Sequence, residues 1–241
     1  MIEARLLAKR FGDVQAVRGV SFTAPDGAIT GLLGPNGAGK TTTLRMIAAV
    51  VEPTGGSAAV DGHDCARDPL AARARLGVLS DARGLYARLT ARENIAYYGE
   101  LRGLARAPLE AAIARLAELL ELGALLDRRT DGFSQGERMK VAIARAIVHD
   151  PPNVLLDEPT NGLDVMTTRN LREVIRRLRE SGKCVVFSSH VMQEVSALCD
   201  SIVIMAHGAV VAQGSAAELL EASGRTNLED AFVALAGEEG A

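Results

Sequence analysis

"GPNGAGKT", Gly34 to Thr41, fits the pattern G-x-x-x-x-G-K-[ST]. The run before it, "AITGLL", is apolar and strand-like. After it, Leu44, Ile47, Ala48 and Val51 recur at i, i+3, i+4 and i+7, the spacing of one helix face. The order is strand, Gly-rich loop, helix, which is the context this pattern needs. Glycines let consecutive backbone N–H groups curl around an anion, and the N-terminus of the helix adds a favourable partial charge. In that geometry Lys40 reaches the β- and γ-phosphates of a nucleotide, and the Thr41 hydroxyl ligates Mg²⁺. The other reading is a Gly-rich turn, and the flanking strand and helix count against it. The helix is expected to stop at Glu52-Pro53-Thr54-Gly55-Gly56.

Working outward, "VRGVSFTAPDGAITGLLG" reads as two strands around Pro25-Asp26-Gly27, where Pro presets φ and Gly permits positive φ. Short apolar runs at Leu76–Leu79, Val154–Leu156, Cys184–Phe187 and Ile202–Met205 read as buried parallel strands. Residues 85–130 differ. They are rich in Arg, Leu and Ala and helical in period, with Pro108 opening "LEAAIARLAELLEL" and Gly123 closing it. They read as a helical insertion in an α/β sheet or as an ordinary pair of surface helices.

Two of these strands end in chemistry. "NVLLDEPTNGLD" finishes its apolar run at Asp157, with Glu158 next. Asp157 can hold Mg²⁺ through water and Glu158 can act as general base toward an attacking water, a role that contributes roughly 10²–10⁴ in rate. "VVFSSH" ends at His190. Open α/β sheets bind ligands at the carboxyl ends of their strands, so His190 can bond the γ-phosphate or that water. A fourth stretch is "FSQGERMKVAIARA", Phe133 to Ala146, where Ser134 and Glu137 form a Ser-x-x-Glu capping box before an apolar-periodic run. Ser134 is a helix cap, a phosphate contact, or both.

Composition bounds the rest. Lys+Arg number 27 against Asp+Glu 30, a net charge of −3, and aromatics are 3% with no Trp. There is neither a basic field nor a stacking platform for nucleic acid. Cys65, Cys184 and Cys199 lie far apart, without metal-ligand spacing, and read as buried free thiols. "MIEARLLAKRFG" lacks the apolar run of a signal peptide. No run approaches the ~18 residues of a membrane span. A cytosolic chain is expected, and any membrane role needs a partner.

Phosphate loop, Ser-x-Gly-x, Asp-Glu and His stand here in the order found in ABC transporter ATP-binding subunits, and the chain resembles that family over nearly its whole length. The resemblance implies an α/β phosphate-loop ATPase with an antiparallel β part at the N-terminus. Residues 1–79 and 149–215 would form the catalytic core, 80–148 a helical subdomain and 216–241 a helical tail of one domain. It implies ATP and Mg²⁺ as ligands, with Gly34, Pro35, Asn36, Gly37, Ala38, Gly39, Lys40, Thr41 and Thr42 around the phosphates. Phe11 resembles the aromatic that stacks on adenine; a core anchor is its other reading. Ser134, Gly136 and Asp164 would meet the ATP of a second subunit in a head-to-tail dimer. A separate membrane permease would be the partner, which makes the protein peripheral at the inner face of the cell membrane.

Two positions depart from the family pattern. Phe133-Ser134-Gln135-Gly136-Glu137 stands where Leu-Ser-Gly-Gly-Gln is usual, and Asp81 where a cation-binding Gln is usual. "MKVAIARAIVHDP" with "LDEPTNGLDVMTTR" is similar to sodium-efflux ATPases of the ABC-2 exporter type, and "NLEDAFVALAG" resembles the tail of drug- and ion-exporting relatives. A GTPase would share the phosphate loop, but no Asn-Lys-x-Asp for guanine is present. An ABC ATPase acting on ribosomes or DNA is the other class. Such proteins usually carry two cassettes or a long coiled coil, which this sequence does not show.

Overall fold

The structure is a computed structural model and describes residues 1–80 and 84–237. Its centre is a six-stranded sheet in the order β10 (Ala209–Gly214), β9 (Ser201–Ala206), β3 (Ile29–Leu33), β8 (Cys184–Ser189), β7 (Asn153–Asp157), β6 (Leu76–Leu79). The pairs β9·β3, β3·β8, β8·β7 and β7·β6 are parallel, and only β10 runs antiparallel, on β9. A second sheet is antiparallel, with β2 (Val14–Ala24), β1 (Ile2–Phe11), β4 (Gly55–Val60) and β5 (His63–Asp64) in that order. The turn at Pro25-Asp26-Gly27, with Gly27 at φ +66°, therefore passes the chain from one sheet to the other.

The apolar runs of the parallel strands are continuous because both faces are covered. Ile29 and Leu33 of β3, Val154 and Leu156 of β7, and Val185 and Phe187 of β8 face one core. That core also takes side chains from α4 (Arg106–Leu119), α5 (Gln135–Ile147) and α6 (Val165–Glu180). The alternate residues Leu32, Leu155, Cys184 and Val186 face a second core with β1, β2, β4 and α1 (Lys40–Ile47). The period-2 alternation of a strand thus assigns each residue to one layer or the other. The remaining helices are α2 (Pro69–Ala74), α3 (Ala91–Leu101), α7 (Met192–Leu198), α8 (Ala216–Ser223) and α9 (Leu228–Gly237).

Two helices have boundaries that differ from expectation. α1 ends at Ile47, not at Glu52. Ala49 takes φ +54°, and the N–H groups of Val50 and Val51 both donate to Arg45 O. Pro53 disfavours helical geometry in the residue before it, so the chain must unwind to enter β4. α4 begins at Arg106, with Pro108 inside the first turn, where its missing N–H costs nothing. It ends at Leu119, before Gly123, because Glu121 itself adopts φ +53°. Cys65 and Cys184 are buried free thiols as expected, and burial pushes them up to about 11 and about 12 respectively. Cys199 is a partly buried free thiol.

Candidate active site

The loop Gly34–Gly39 leaves the carboxyl end of β3 and enters α1. Its backbone is pinned where a side chain would not fit. A Cβ on Gly34 would lie 2.2 Å from the Met205 carbonyl oxygen, and one on Gly39, at φ +96°, would lie 2.7 Å from that of Ala16. Ala38 is buried and its N–H donates to Pro35 O, while Pro35, Asn36 and Gly37 are exposed. α1 starts at Gly39 with no side-chain cap, so its first N–H groups remain directed at the loop's concave side. Lys40 is only 5% exposed. Its ammonium donates to Gly34 O (2.7 Å) and Pro35 O (3.2 Å) and lies 3.2 Å from Glu158 Oε1.

The ends of β7 and β8 close on this loop from the side. Asp157 Oδ1 accepts from Thr41 Oγ1 at 3.1 Å and from Ser188 Oγ at 2.7 Å. Ser188 Oγ accepts in turn from the Glu158 N–H at 2.9 Å. That bond holds Glu158 at φ +46°, a left-handed backbone unusual outside Gly, Asn and Asp. Glu158 Oε2 meets His190 Nδ1 at 2.9 Å. Lys40, Glu158 and His190 therefore form a continuous polar row across three adjacent parallel strands. Thr41 Oγ1 and Asp157 Oδ1 are hard oxygen donors at hydrogen-bond distance. This fits Mg²⁺, which takes one or two side-chain oxygens and fills its octahedron with phosphate and water. Thr42 follows, partly buried, in the first turn of α1.

The fourth motif packs on the segment that follows β7. Ser134 caps α5: its Oγ accepts from the Glu137 N–H (3.2 Å), and Glu137 Oε2 accepts from the Ser134 N–H (2.7 Å). Arg128 stands 3.7 Å from Glu137 Oε1. Gln135 donates its side-chain amide to Asn161 O at 2.9 Å. The same amide packs on Gly162, φ +75°, where a Cβ would come within 2.5 Å of it. At Gly136, a Cβ would lie 2.8 Å from Thr167 Cγ2. Asp164 caps α6 by accepting from the Met166 and Thr167 N–H groups, both at 2.9 Å, and from Thr167 Oγ1 at 2.6 Å. The Thr167 hydroxyl and backbone hold its carboxyl below the usual carboxylate range. Residues 134–136 and 161–167 are thus one packed unit.

A family model described as ABC transporter matches residues 17–161. The chain belongs to the ABC transporter ATP-binding family. It is 44% identical to the ABC transporter ATP-binding protein NatA of Bacillus subtilis over 97% of each chain. It is 36% identical to the daunorubicin/doxorubicin resistance ATP-binding protein DrrA of Streptomyces peucetius, over 95% of this chain and 71% of that one. Among solved structures it resembles an ATP-binding subunit of an ABC transporter at TM-score 0.89, with 28% identity over 98% and 99% of the two chains. A dimeric post-hydrolysis ATP-binding cassette bound to ADP and phosphate matches at TM-score 0.80, with 25% identity over 89% of this chain and 98% of that one. The fold is that of an ABC ATPase, and the row Lys40–Glu158–His190 belongs to an ATP-hydrolysing subunit.

The remaining sequence-level assignments divide. Phe11, at the end of β1 and paired with Val14, is 49% exposed, with the Lys9 ammonium 5.1 Å from its ring centroid, so it is not a core anchor. The same hairpin touches the phosphate loop, since Ala16 O approaches Gly39. Asp81 lies outside the described residues. Ser188, Thr160 and Glu194 escaped the sequence reading; the polar ending of "VVFSSH" was the one available signal for the first of them.

Proposed function

We propose that this ABC ATPase binds Mg-ATP between Phe11, the Gly34–Thr42 loop and β7–β8, and hydrolyses it in a head-to-tail dimer that drives a separate membrane exporter. The observation that carries the reading is the convergence of Lys40, Thr41, Asp157, Glu158 and His190 at the carboxyl ends of β3, β7 and β8. Lys40 neutralises the β- and γ-phosphates. Thr41 and Asp157 would hold Mg²⁺, which supplies charge neutralisation across the phosphates. Glu158 Oε2 accepts the proton of the attacking water, and His190 fixes that carboxylate and the γ-phosphate. Phe11, exposed beside the loop, stacks on adenine. Ser134, Gly136 and Asp164 bear on the ATP of the second copy.

Export as the direction is supported by relatives named for drug resistance and for Nod factor export. No helix of the described residues is long and apolar enough to cross a membrane, so a permease would supply the path and hold this subunit at the inner membrane face. Asp81 is proposed as a cation ligand. If so, Asp81→Ala raises the Mg²⁺ concentration for half-maximal ATPase and Asp81→Gln restores it; an unchanged Mg²⁺ profile reduces the residue to a turn former.

The central test is Glu158→Gln. The variant should bind ATP, stop hydrolysis and accumulate as a dimer at saturating Mg-ATP. Light scattering that shows only monomer would remove the head-to-tail mechanism.

A further inference from the structure

Glu194 of α7 is 7% exposed in the structure, although its side chain is ionisable. A buried carboxylate is costly unless donors surround it, so its donors show what it is for. Its Oε2 accepts from Thr160 Oγ1 at 2.5 Å and from Ser189 Oγ at 3.3 Å. Its Oε1 faces an Arg172 guanidinium nitrogen at 3.7 Å, from α6. Thr160 stands two residues after Glu158, and Ser189 one residue before His190. One carboxylate therefore ties together the two backbone arms that carry the ends of the Glu158–His190 contact.

The polarity of the network admits only an acceptor at its centre. Ser189 Oγ accepts from the Val191 N–H at 3.0 Å, which turns its own hydrogen toward Glu194. Thr160 also donates, and the Arg172 guanidinium adds a positive charge at ion-pair distance. An ionised carboxylate has about four lone-pair sites for such donors and no hydrogen to oppose them. A glutamine in its place would set an amide N–H₂ against one of the donors. On the other arm, Glu158 is already held in a left-handed conformation by Ser188, so its side chain is aimed by backbone constraints.

We infer that Glu194 is a positioning residue for ATP hydrolysis: it fixes the separation and orientation of Glu158 and His190 without touching ATP. The inference rests on the catalytic reading of those two residues given above. A base misplaced by about 1 Å can cost on the order of 10²-fold in rate. Phosphate binding depends on Lys40 and the backbone of the loop; the loop meets this network through the main chain, where the Gly34 N–H donates to Ser189 O at 3.4 Å, a bond the Glu194 side chain does not make.

The test is steady-state ATPase with Glu194→Gln, Glu194→Ala and Thr160→Val, alongside Glu158→Gln, His190→Ala and the double variant Glu194→Gln/His190→Ala. Thermal melts and fluorescent ATP-analogue binding check that each variant is folded and loaded. Thr160→Val breaks the same network while leaving the buried charge in place, and so serves if the Glu194 variants fail to fold. The expected result is a kcat for Glu194→Gln and Thr160→Val lowered about tenfold or more, a KM for Mg-ATP within about twofold, and near-parent melting. The double variant should turn over no more slowly than His190→Ala alone, because residues that act as one unit are non-additive. A wild-type kcat in folded Glu194→Gln and Thr160→Val would overturn the inference, as would a loss that adds fully to that of His190→Ala. If Glu158→Gln and His190→Ala themselves hydrolyse ATP normally, the underlying catalytic reading fails first, and Glu194 has nothing to position.

Discussion

Two helices of this molecule are proposed to face phosphate, and they begin in opposite ways. α1 starts from a left-handed Gly39 with no side-chain cap and no acid in its first turn. α5 starts from Ser134 with a complete capping box and Glu137 in its first turn. The first leaves its N–H groups and its partial positive charge to whatever anion the loop encloses. The second satisfies two of its own donors and sets a carboxylate at its positive end. By this comparison the phosphate loop is built for affinity. The Ser134 end is built first to fold, with only the outward face of a hydroxyl left for a ligand. Closure of the dimer should therefore be the weak step of the cycle and ATP capture by one subunit the strong one.

The largest expected effect tests the α1 side. Lys40→Ala removes the loop's buried cation and leaves Glu158 with His190 but without the ammonium at 3.2 Å. A charge-assisted hydrogen bond of about 1.5–3 kcal/mol corresponds to roughly ten- to 150-fold in ATP affinity, and turnover should be abolished. Unchanged turnover in a single-site ATPase assay would take the phosphate loop out of the mechanism altogether.

Next comes Ser134→Asp in the Glu158→Gln background. Asp caps a helix about as well as Ser, so melting should stay near the parent and ATP should still bind the monomer. A carboxylate ~4 Å from a γ-phosphate is repelled by several kcal/mol at an effective dielectric near 20, so dimerisation should fail. Gel filtration showing a dimer as tight as the parent's would leave Ser134 as a cap alone and break the comparison.

The opposite end of α5 carries a pH dependence. His149, just past that helix, has its Nε2 on Leu76 O at 3.1 Å and its Nδ1 buried without a partner among the described residues. Burial, followed by the Arg102 charge, pushes it down to about 4 from 6.5. The folded form holds the ring neutral, so its stabilisation is complete above pH 6.5 and is lost as pH falls toward 4. After allowance for partial exposure the loss is on the order of 1–2 kcal/mol. Urea unfolding at a series of pH values should show it, and His149→Gln should flatten that part of the curve. An identical slope in the variant would clear His149 of that loss; carboxylates such as Asp61 and Asp150, held below their ordinary range, give up their contribution only at still lower pH.

The smallest effect sharpens the comparison most. Glu137→Gln keeps the capping box, removes the acid and restores the family's usual residue. A first-turn charge is worth about 0.3–1 kcal/mol, so the ATP-bound dimer of the Glu158→Gln variant should tighten by about two- to fivefold. Dimer affinity unmoved by Glu137→Gln would mean that Arg128, 3.7 Å away, already cancels the charge.

What was legible in the sequence was what local pattern dictates. β6 spans Leu76–Leu79 as its apolar run does, and the phosphate loop, the Asp157–Glu158 strand end and His190 were found because each ends an apolar run in polar residues. Ser134 was visible as a cap because a capping box is local, four residues long. The helix end at Ile47 was not visible, because apolar spacing continued through a residue that adopts positive φ. Ser188 and Glu194 escaped because their roles come from tertiary pairing. Ser188 meets Asp157 across 31 residues of chain and Glu194 meets Thr160 across 34. The link from Gln135 to Asn161 is of the same kind. Its side chain reads as a mere departure from the family's glycine until the fold brings residue 162 beneath it.

The contact between Gly34 and the Met205 carbonyl bears on how a mutational scan of this protein can be interpreted. A methyl group at position 34 collides with the main chain of β9 at 2.2 Å, so every replacement there damages folding whether or not a nucleotide is ever bound. Dead variants at Gly34 therefore carry no information about ATP. Gly37 is the informative position: none of the described residues lies within 4 Å of its Cβ direction, yet its φ is +84°. Asn tolerates that backbone better than other side chains. A scan in which Gly37→Asn is well expressed but inactive, while Gly34 variants are simply absent from the soluble pool, separates the glycine kept for chemistry from the one kept for packing.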